Sequence, residues 1–283
     1  MQWPTPLSRN KPGVHKNVFG HVLILAGSAR TLGAAALSGL AAMRSGAGLV
    51  TIGTPRGLNI ALQKKISPVI MTMPLAQTKE QSLSTKAFAA IKKSIATFDA
   101  LAIGPGLSRH PDTQRFIRKV IAEIDKPMVI DADGLNALEG HLDVLTKTKS
   151  LKILTPHPGE MSRMTGVKKG ALEKDRKKYA REFAKKYRCI LVLKGHQSIV
   201  ASSRGQIYVN KTGNAGMATA GTGDVLTGIM AALLGQGVPG FEAARCGVYL
   251  HGKAGDLAAK AGSKAGMIAT DIVDAIPGVL KSA

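Results

Sequence analysis

The stretch VLILAGSARTLGAAALSGLAAMRSGAGLVTIGT (22–54) decides the fold. It opens on a continuous apolar burst, VLILA (22–26), and passes through a Gly/Ser turn into an Ala-rich segment, 33–45. It closes on a second burst, LVTIGT (49–54). Continuous rather than alternating apolar runs are how strands covered on both faces of a parallel sheet read. Working outward, the pattern repeats: a short helix candidate at 56–65, a burst VIMTM (69–73), and helical spacing over 83–98. The bursts ALAIG (100–104), MVID (128–131), KILT (152–155) and CILVLK (189–194) complete the main series. SIVAS (198–202) and QIYVN (206–210), joined by Ser-Arg-Gly, predict a hairpin, and the last third reads as helices at 224–234, 242–259 and 271–280. Strand, loop and helix in repetition predict an α/β protein with a doubly wound, mostly parallel sheet flanked by helices on both faces. No Pro/Ser linker, repeat or low-complexity tract divides the chain, so one domain is expected over 1–283, with 1–19 as an N-terminal extension.

The 283 residues are ample for a buried core, and 45% hydrophobic content excludes global disorder. Thirty-nine Lys and Arg against 18 Asp and Glu give a net charge of +21, which raises a polyanionic partner as the first class to test. Part of that excess is local: 168–188 holds ten Lys and Arg against Glu173, Asp175 and Glu182, with an apolar stripe of Leu172, Tyr179, Phe183 and Ala184. That pattern fits a surface helix with a solvated face. No RNA- or DNA-binding motif accompanies it, so no nucleic acid is expected. Cys189 and Cys246 are too few for a disulfide framework or a four-ligand zinc site. The N-terminus lacks an apolar signal core and no apolar run approaches 18 residues, so a cytoplasmic protein without a membrane span is expected.

There is no P-loop signature and no G-x-G-x-x-G after a strand, which argues against P-loop enzymes and Rossmann dehydrogenases. The strongest local signal is NAGMATAGTGD (214–224), running into the apolar helix VLTGIMAALL. Glycines there let successive N–H groups face an anion, and a helix N-terminus adds partial positive charge. Asp224 beside such a hole is placed to take a proton from an attacking hydroxyl; the alternative is a plain helix cap. TPHPGE (155–160) follows an inner strand, where open α/β sheets bind ligands, and its prolines fix a loop carrying His157 and Glu160. IGPGL (103–107) allows close backbone approach at Gly104 and Gly106. In IDADGLNAL (130–138), Asp131 and Asp133 are candidates to hold magnesium through water, orient a base, or cap a helix. Lys194, in VLKGHQSIV (192–200), is placed to reach a phosphate or merely to solubilise an edge strand. All follow successive strands, which makes one cleft.

In order, these motifs resemble the ADP/ATP-dependent NAD(P)H-hydrate dehydratases of the ribokinase-like superfamily. The resemblance runs from Gly20 to the C-terminus and includes GVYLHGKAGDLAA; Lys211 stands where proline often precedes TGN. It implies a repair enzyme that returns the S epimer of hydrated NADH or NADPH to NAD(P)H. ADP or ATP phosphorylates the ring hydroxyl, and phosphate then leaves. By resemblance, Gly33, Ala34, Ala35, Ala36 and Gly106 line the hydrate pocket, with His157, Pro158, Gly159, Glu160 and Arg163 along its side. Lys194, Gly195, His196, Gln197 and Ser198 meet the nucleotide, as do Asn214, Gly216, Met217, Ala218, Thr219, Gly221, Thr222 and Gly223; Asp224 contacts the substrate and is the base. Mg²⁺, a homotetramer and a separate epimerase partner are implied likewise, since the epimerase domain fused upstream in many bacterial members has no counterpart here. The nearest rival is a ribokinase-like thiazole or pyrimidine kinase with the same GTGD chemistry.

Overall fold

A computed structural model describes residues 13–281; the first twelve residues of the expected N-terminal extension lie outside them. The opening stretch forms β1 (His21–Leu25), α1 (Leu32–Arg44) and β2 (Leu49–Pro55). There follow α2 (Asn59–Gln63), β3 (Met71–Leu75), α3 (Phe88–Ser94), β4 (Ala100–Ile103), α4 (Pro111–Glu123), β5 (Met128–Ile130) and α5 (Asp133–Asn136). Next come β6 (Lys152–Leu154), α6 (Pro158–Thr165), α7 (Lys169–Lys174), α8 (Arg176–Lys186) and β7 (Ile190–Leu193). The hairpin β8 (Ile199–Ala201) and β9 (Ile207–Val209) precedes α9 (Thr222–Gly235), α10 (Gly240–Ala261) and α11 (Ala269–Leu280).

The nine strands form one sheet in the order β3-β2-β1-β4-β5-β6-β7-β8-β9. β1 to β7 run parallel and only the hairpin is antiparallel. β1 lies between β2 and β4, so strand order reverses there, and the crevice beyond the carboxyl ends near such a reversal is where open α/β sheets take ligands.

Alternate residues explain the continuous bursts. Val22, Ile24, Ala100, Ala102, Val129 and Val192 join one core with α1, α9, α10 and α11. Leu23, Leu25, Leu101, Ile103, Met128 and Leu191 join a second core on the other face. The first face carries the smaller side chains because its helices sit close. A Cβ at Gly228 of α9 would overlap the Ser38 carbonyl of α1, and one at Gly39 would meet Ile52 of β2 at 2.6 Å.

Several elements differ from expectation. β3 begins two residues late, since Val69 stays exposed at the sheet's edge. The span 83–98 is not one helix: 3₁₀ turns at Thr85–Ala87 and Ile95–Thr97 flank the short α3. Helix α4 went unanticipated although its signals are present, with Pro111 in its first turn and the His110 side chain accepting from the Asp112 N–H. The basic segment 168–188 is two helices, broken at Asp175, which caps α8 through the Lys178 N–H. TPHPGE is not a loop throughout, because α6 starts inside it at Pro158. No helix among the described residues is long and apolar enough to cross a membrane.

Candidate active site

Five strand ends deliver the predicted motifs to one edge of the sheet. Gly106 follows β4, Asp131 follows β5, His157 and Glu160 follow β6, and Lys194 follows β7; the α1 start follows β1. β7 is an inner strand, which removes the edge-solubiliser alternative for Lys194.

Asp131 is buried, and both carboxylate oxygens are occupied. Oδ1 accepts from Lys194 Nζ at 2.7 Å and Oδ2 from Thr227 Oγ1 at 2.8 Å. The same ammonium lies 3.8 Å from Glu160 Oε2. Burial works against the Lys194 charge, but Asp131 and Glu160 outweigh it and hold the ammonium above its ordinary range. Burial pushes the Glu160 carboxyl up, opposed by Lys194. Asp133 is turned elsewhere, accepting from the Ser108 N–H and from Asn136.

The first turn of α9 sits over this pair. A Cβ on Gly223 would lie 3.5 Å from Lys194 Nζ and 3.6 Å from Asp131 Oδ2. The helix is capped by Gly221 at φ 87°, and a side chain there would meet Leu37 Cδ1 of α1 at 2.5 Å. Asp224 makes no capping hydrogen bond, which disposes of the plain-cap alternative. Its carboxyl is pushed up to about 7, first by burial and then by the neighbouring Asp131 charge, with Lys194 opposing. Among the described residues it has no hydrogen-bond partner.

Beside the first turn of α9 opens a cavity of about 710 Å³, lined by Thr222 and Gly223 of that turn but not by Asp224. Lys194, Gly195, His196, Gln197 and Ser198 form one wall, and Asn214, Met217, Ala218, Thr222 and Gly223 another. Gly216, Thr219 and Gly221 are outside its lining: Gly216 packs on Lys264, Thr219 accepts from Thr222 Oγ1, and Gly221 abuts α1. The 210–217 segment is strapped to α10, a contribution sequence reasoning missed. Asp256 accepts from the Gly213 N–H and from Asn214 Nδ2, and Asn210 donates to the Val248 carbonyl. Gly252 and Gly255 let that segment lie against α10, since a Cβ would collide with Thr212 and Met217. His251 of α10 also lines the cavity; burial pushes its imidazole down to about 4, so it is neutral near pH 7.

The residues assigned to the hydrate lie outside that lining. Thr31 Oγ1, just before α1, donates to the Gly106 carbonyl at 2.7 Å and joins the two segments. Gly33 is exposed and Ala34 half-buried, whereas Ala35 and Ala36 point into the core and can offer only backbone. His157 is less free than a loop residue. Its Nδ1 accepts from the Gly159 and Glu160 N–H groups, while Glu160 accepts from the His157 N–H, a reciprocal cap that Pro158 continues into α6. Burial, then Lys194, lowers the His157 pKa, leaving a neutral ring with its proton on Nε2. Arg163 donates to Asn136 Oδ1 at 3.2 Å, as does Arg109 at 3.3 Å; Asn136 was not foreseen.

No group of three metal-ligating side chains occurs among the described residues. Asp131 and Glu160 are occupied by Lys194, Thr227 and the α6 cap, which leaves Asp224. Such a site fits Mg²⁺ only as a passenger on nucleotide phosphates, the ion's usual habit.

The fold and this site together define a protein of the ribokinase-like class. Residues 22–278 match the family model described as NAD(P)H-hydrate dehydratase, and the chain belongs to that family. It is 44% identical over 276 residues to the bifunctional NAD(P)H-hydrate repair enzyme of Moorella thermoacetica, covering 98% of this chain and 52% of that one. The chain thus spans about half the length of such bifunctional relatives. The ADP-dependent (S)-NAD(P)H-hydrate dehydratase of Bacillus subtilis is 36% identical over 267 residues, 94% of this chain and 91% of the relative. A crystal structure of the B. subtilis ADP/ATP-dependent enzyme, co-crystallised with ATP/Mg²⁺, superposes with a TM-score of 0.82 at 35% identity, covering 97% of this chain and 93% of that one.

Proposed function

We propose that this chain, as a single ribokinase-like domain, is an ADP-dependent (S)-NAD(P)H-hydrate dehydratase that also accepts ATP. The observation that carries the reading is Asp224: a carboxylate with no partner, pushed up to about 7, at a glycine-bounded helix N-terminus whose Thr222 and Gly223 line the cavity and whose Gly221 abuts α1. A group of that pKa is half ionised near neutral pH and suits proton abstraction.

The nucleotide occupies the 710 Å³ cavity, its transferable phosphoryl at the first turn of α9. The α9 N–H groups and Lys194 neutralise charge on that phosphoryl as it moves. Mg²⁺ carried on the phosphates would supply further charge neutralisation there. Asp224 takes the proton of the ring hydroxyl as that oxygen bonds to the terminal phosphorus. The bond from phosphorus to the bridging oxygen breaks, releasing AMP from ADP or ADP from ATP. The ring nitrogen's lone pair then expels phosphate, and loss of a proton from the neighbouring carbon restores the double bond. His157, with its Nε2 proton, and the Gly33–Gly106 backbone hold the hydrate. The hydrate is a damaged form of a cytoplasmic cofactor, which favours a cytoplasmic enzyme working with an epimerase activity that supplies the S form. Family resemblance supports a homotetramer.

The test is absorbance at 340 nm after adding enzyme and Mg²⁺ to S-NADHX with ADP, and with ATP in parallel. A nucleotide-dependent rise with release of phosphate is expected, faster with ADP. No rise from folded protein, with a stable phosphorylated product on some other alcohol, would replace this reading with a small-molecule kinase.

A further inference from the structure

Of the ten Lys and Arg in 168–188, Arg176 alone is half-buried while the rest are exposed. It stands at the first position of α8, where the break at Asp175 turns its side chain toward the loop that follows β7. There its guanidinium donates to three carbonyls of one short segment: Nη1 to His196 at 2.6 Å, and Nη2 to Leu193 at 3.0 Å and Lys194 at 3.1 Å. The buried Nε has no partner, so the fork is set by the loop rather than by its own full satisfaction.

Three carbonyls gathered on one side have a consequence for the other. In a planar trans peptide the C=O and the following N–H point opposite ways. The Leu193 carbonyl faces Arg176, and the Lys194 N–H accordingly reaches away to the Pro156 carbonyl at 2.8 Å. By the same geometry the Gly195 and Gln197 N–H groups are directed away from the guanidinium, in a segment that lines the cavity. Gly195 and Gln197 both have positive φ, 135° and 55°, in a stretch with no regular secondary structure. Runs of N–H groups in such conformations form anion-binding concavities. A side chain at Gly195 would come within 3.2 Å of Arg176 Nη2, so the glycine and the arginine fit each other.

We propose that Arg176 is a positioning residue for the nucleotide: by drawing the 193–196 carbonyls behind the loop it presents the loop's N–H groups to a phosphate. This deepens the proposed function and rests on it for the identity of the ligand. A point charge does not replace the fork, because lysine cannot span three carbonyls in one plane.

The experiment compares wild type, Arg176→Ala and Arg176→Lys by calorimetry with ADP, by steady-state turnover of S-NADHX, and by amide hydrogen exchange of 194–198 without nucleotide. Arg176→Ala is expected to raise the ADP dissociation constant and KM about 10- to 100-fold. kcat at saturating ADP and KM for the hydrate should stay within about threefold, since the side chain acts on the loop and not on the reacting atoms. Arg176→Lys should recover little, millimolar free guanidinium should restore part of the Arg176→Ala affinity, and exchange in 194–198 should accelerate in both variants. Unchanged ADP affinity overturns the proposal. So does a parallel loss of kcat, hydrate KM and melting temperature, which marks a merely structural arginine. A wild type that neither binds ADP nor turns over hydrate defeats the functional reading instead, and the exchange measurement then still decides whether Arg176 holds the loop.

Discussion

Two carboxylates stand one above the other at the carboxyl edge of the sheet, and their surroundings are opposite. Asp131, at the end of β5, is buried and fully engaged by an ammonium and a hydroxyl. Asp224, in the first turn of α9, is also largely removed from water but has no partner, and its pKa is driven to about 7. Neighbouring carboxyls whose environments differ this much take different roles. One completes an ion pair that holds three strand ends together; the other is kept ready to accept a proton. Asp131 also helps make Asp224 basic, since its charge is the second cause of the upward shift.

The largest expected effect comes from neutralising the unpaired member. Asp224→Asn should lower turnover of the hydrate by about 10²- to 10⁴-fold, the usual worth of a positioned base. ADP affinity should remain within a few-fold by calorimetry. A variant that retains full activity would end the distinction between the two aspartates.

Removing the counter-charge instead should act on stability first. Lys194→Met leaves Asp131 and Glu160 in a buried site without their shared cation, and breaking one side of such a pair costs about 3–5 kcal/mol. In a chain of this size that corresponds to a fall in melting temperature on the order of 10 °C. A fall no larger than that of a surface Lys→Met change would show that the lower aspartate needs no partner.

The pH dependence sharpens the contrast further. With base catalysis by Asp224, kcat/KM should rise with one ionisation centred near 7. For stability the direction is reversed. A carboxyl whose pKa is raised from 3.8 to about 7 by folding binds its proton more tightly in the native state. It therefore costs nothing below pH 3.8, destabilises progressively as pH rises to about 7, and levels off above. Asp224→Asn should consequently melt higher than wild type, and by more at pH 8 than at pH 5. At its plateau the gain is a few kcal/mol at most, at about 1.4 kcal/mol per pKa unit. An equal gain at both values would mean that the carboxyl is not shifted.

How much of this was legible in the sequence follows the same division. The sheet was readable because both of its faces are covered, so β1, β4 and β7 appear as unbroken apolar runs. The Asp224 loop was readable because its glycines and its acid are adjacent in the chain. The partners of Asp131 were not, since Lys194 lies 63 residues away and Thr227 lies 96 away. Only the assembled sheet, with α9 packed across it, brings them together. Arg176 was hidden by its neighbours: a count of charges across 168–188 treats ten cations alike and cannot see that a helix break turns one of them inward. Asp256 was missed because an acid within a long helix looks like surface until the segment it holds is in place.

The smallest effect tests whether the lower aspartate influences the upper one through orientation as well as charge. Thr227→Val keeps the shape of the side chain but removes the hydroxyl that donates to Asp131 Oδ2. Leaving one buried acceptor unsatisfied costs about 1–3 kcal/mol, so melting should fall by only a few degrees. The variant leaves Lys194 and Asp224 in place. Asp131 Oδ2, released from Thr227, is drawn toward the Lys194 ammonium that already holds Oδ1, which carries its charge away from Asp224 and weakens the repulsion. The midpoint of the kcat/KM profile should therefore move below that of wild type, by a fraction of a pH unit, while the plateau rate changes little. A midpoint that rises would mean that the freed carboxylate has turned toward Asp224 with its charge intact. An unmoved midpoint, with only the melting temperature changed, would confine Thr227 to packing and show that Asp131 tunes Asp224 by its charge alone, whatever holds its second oxygen.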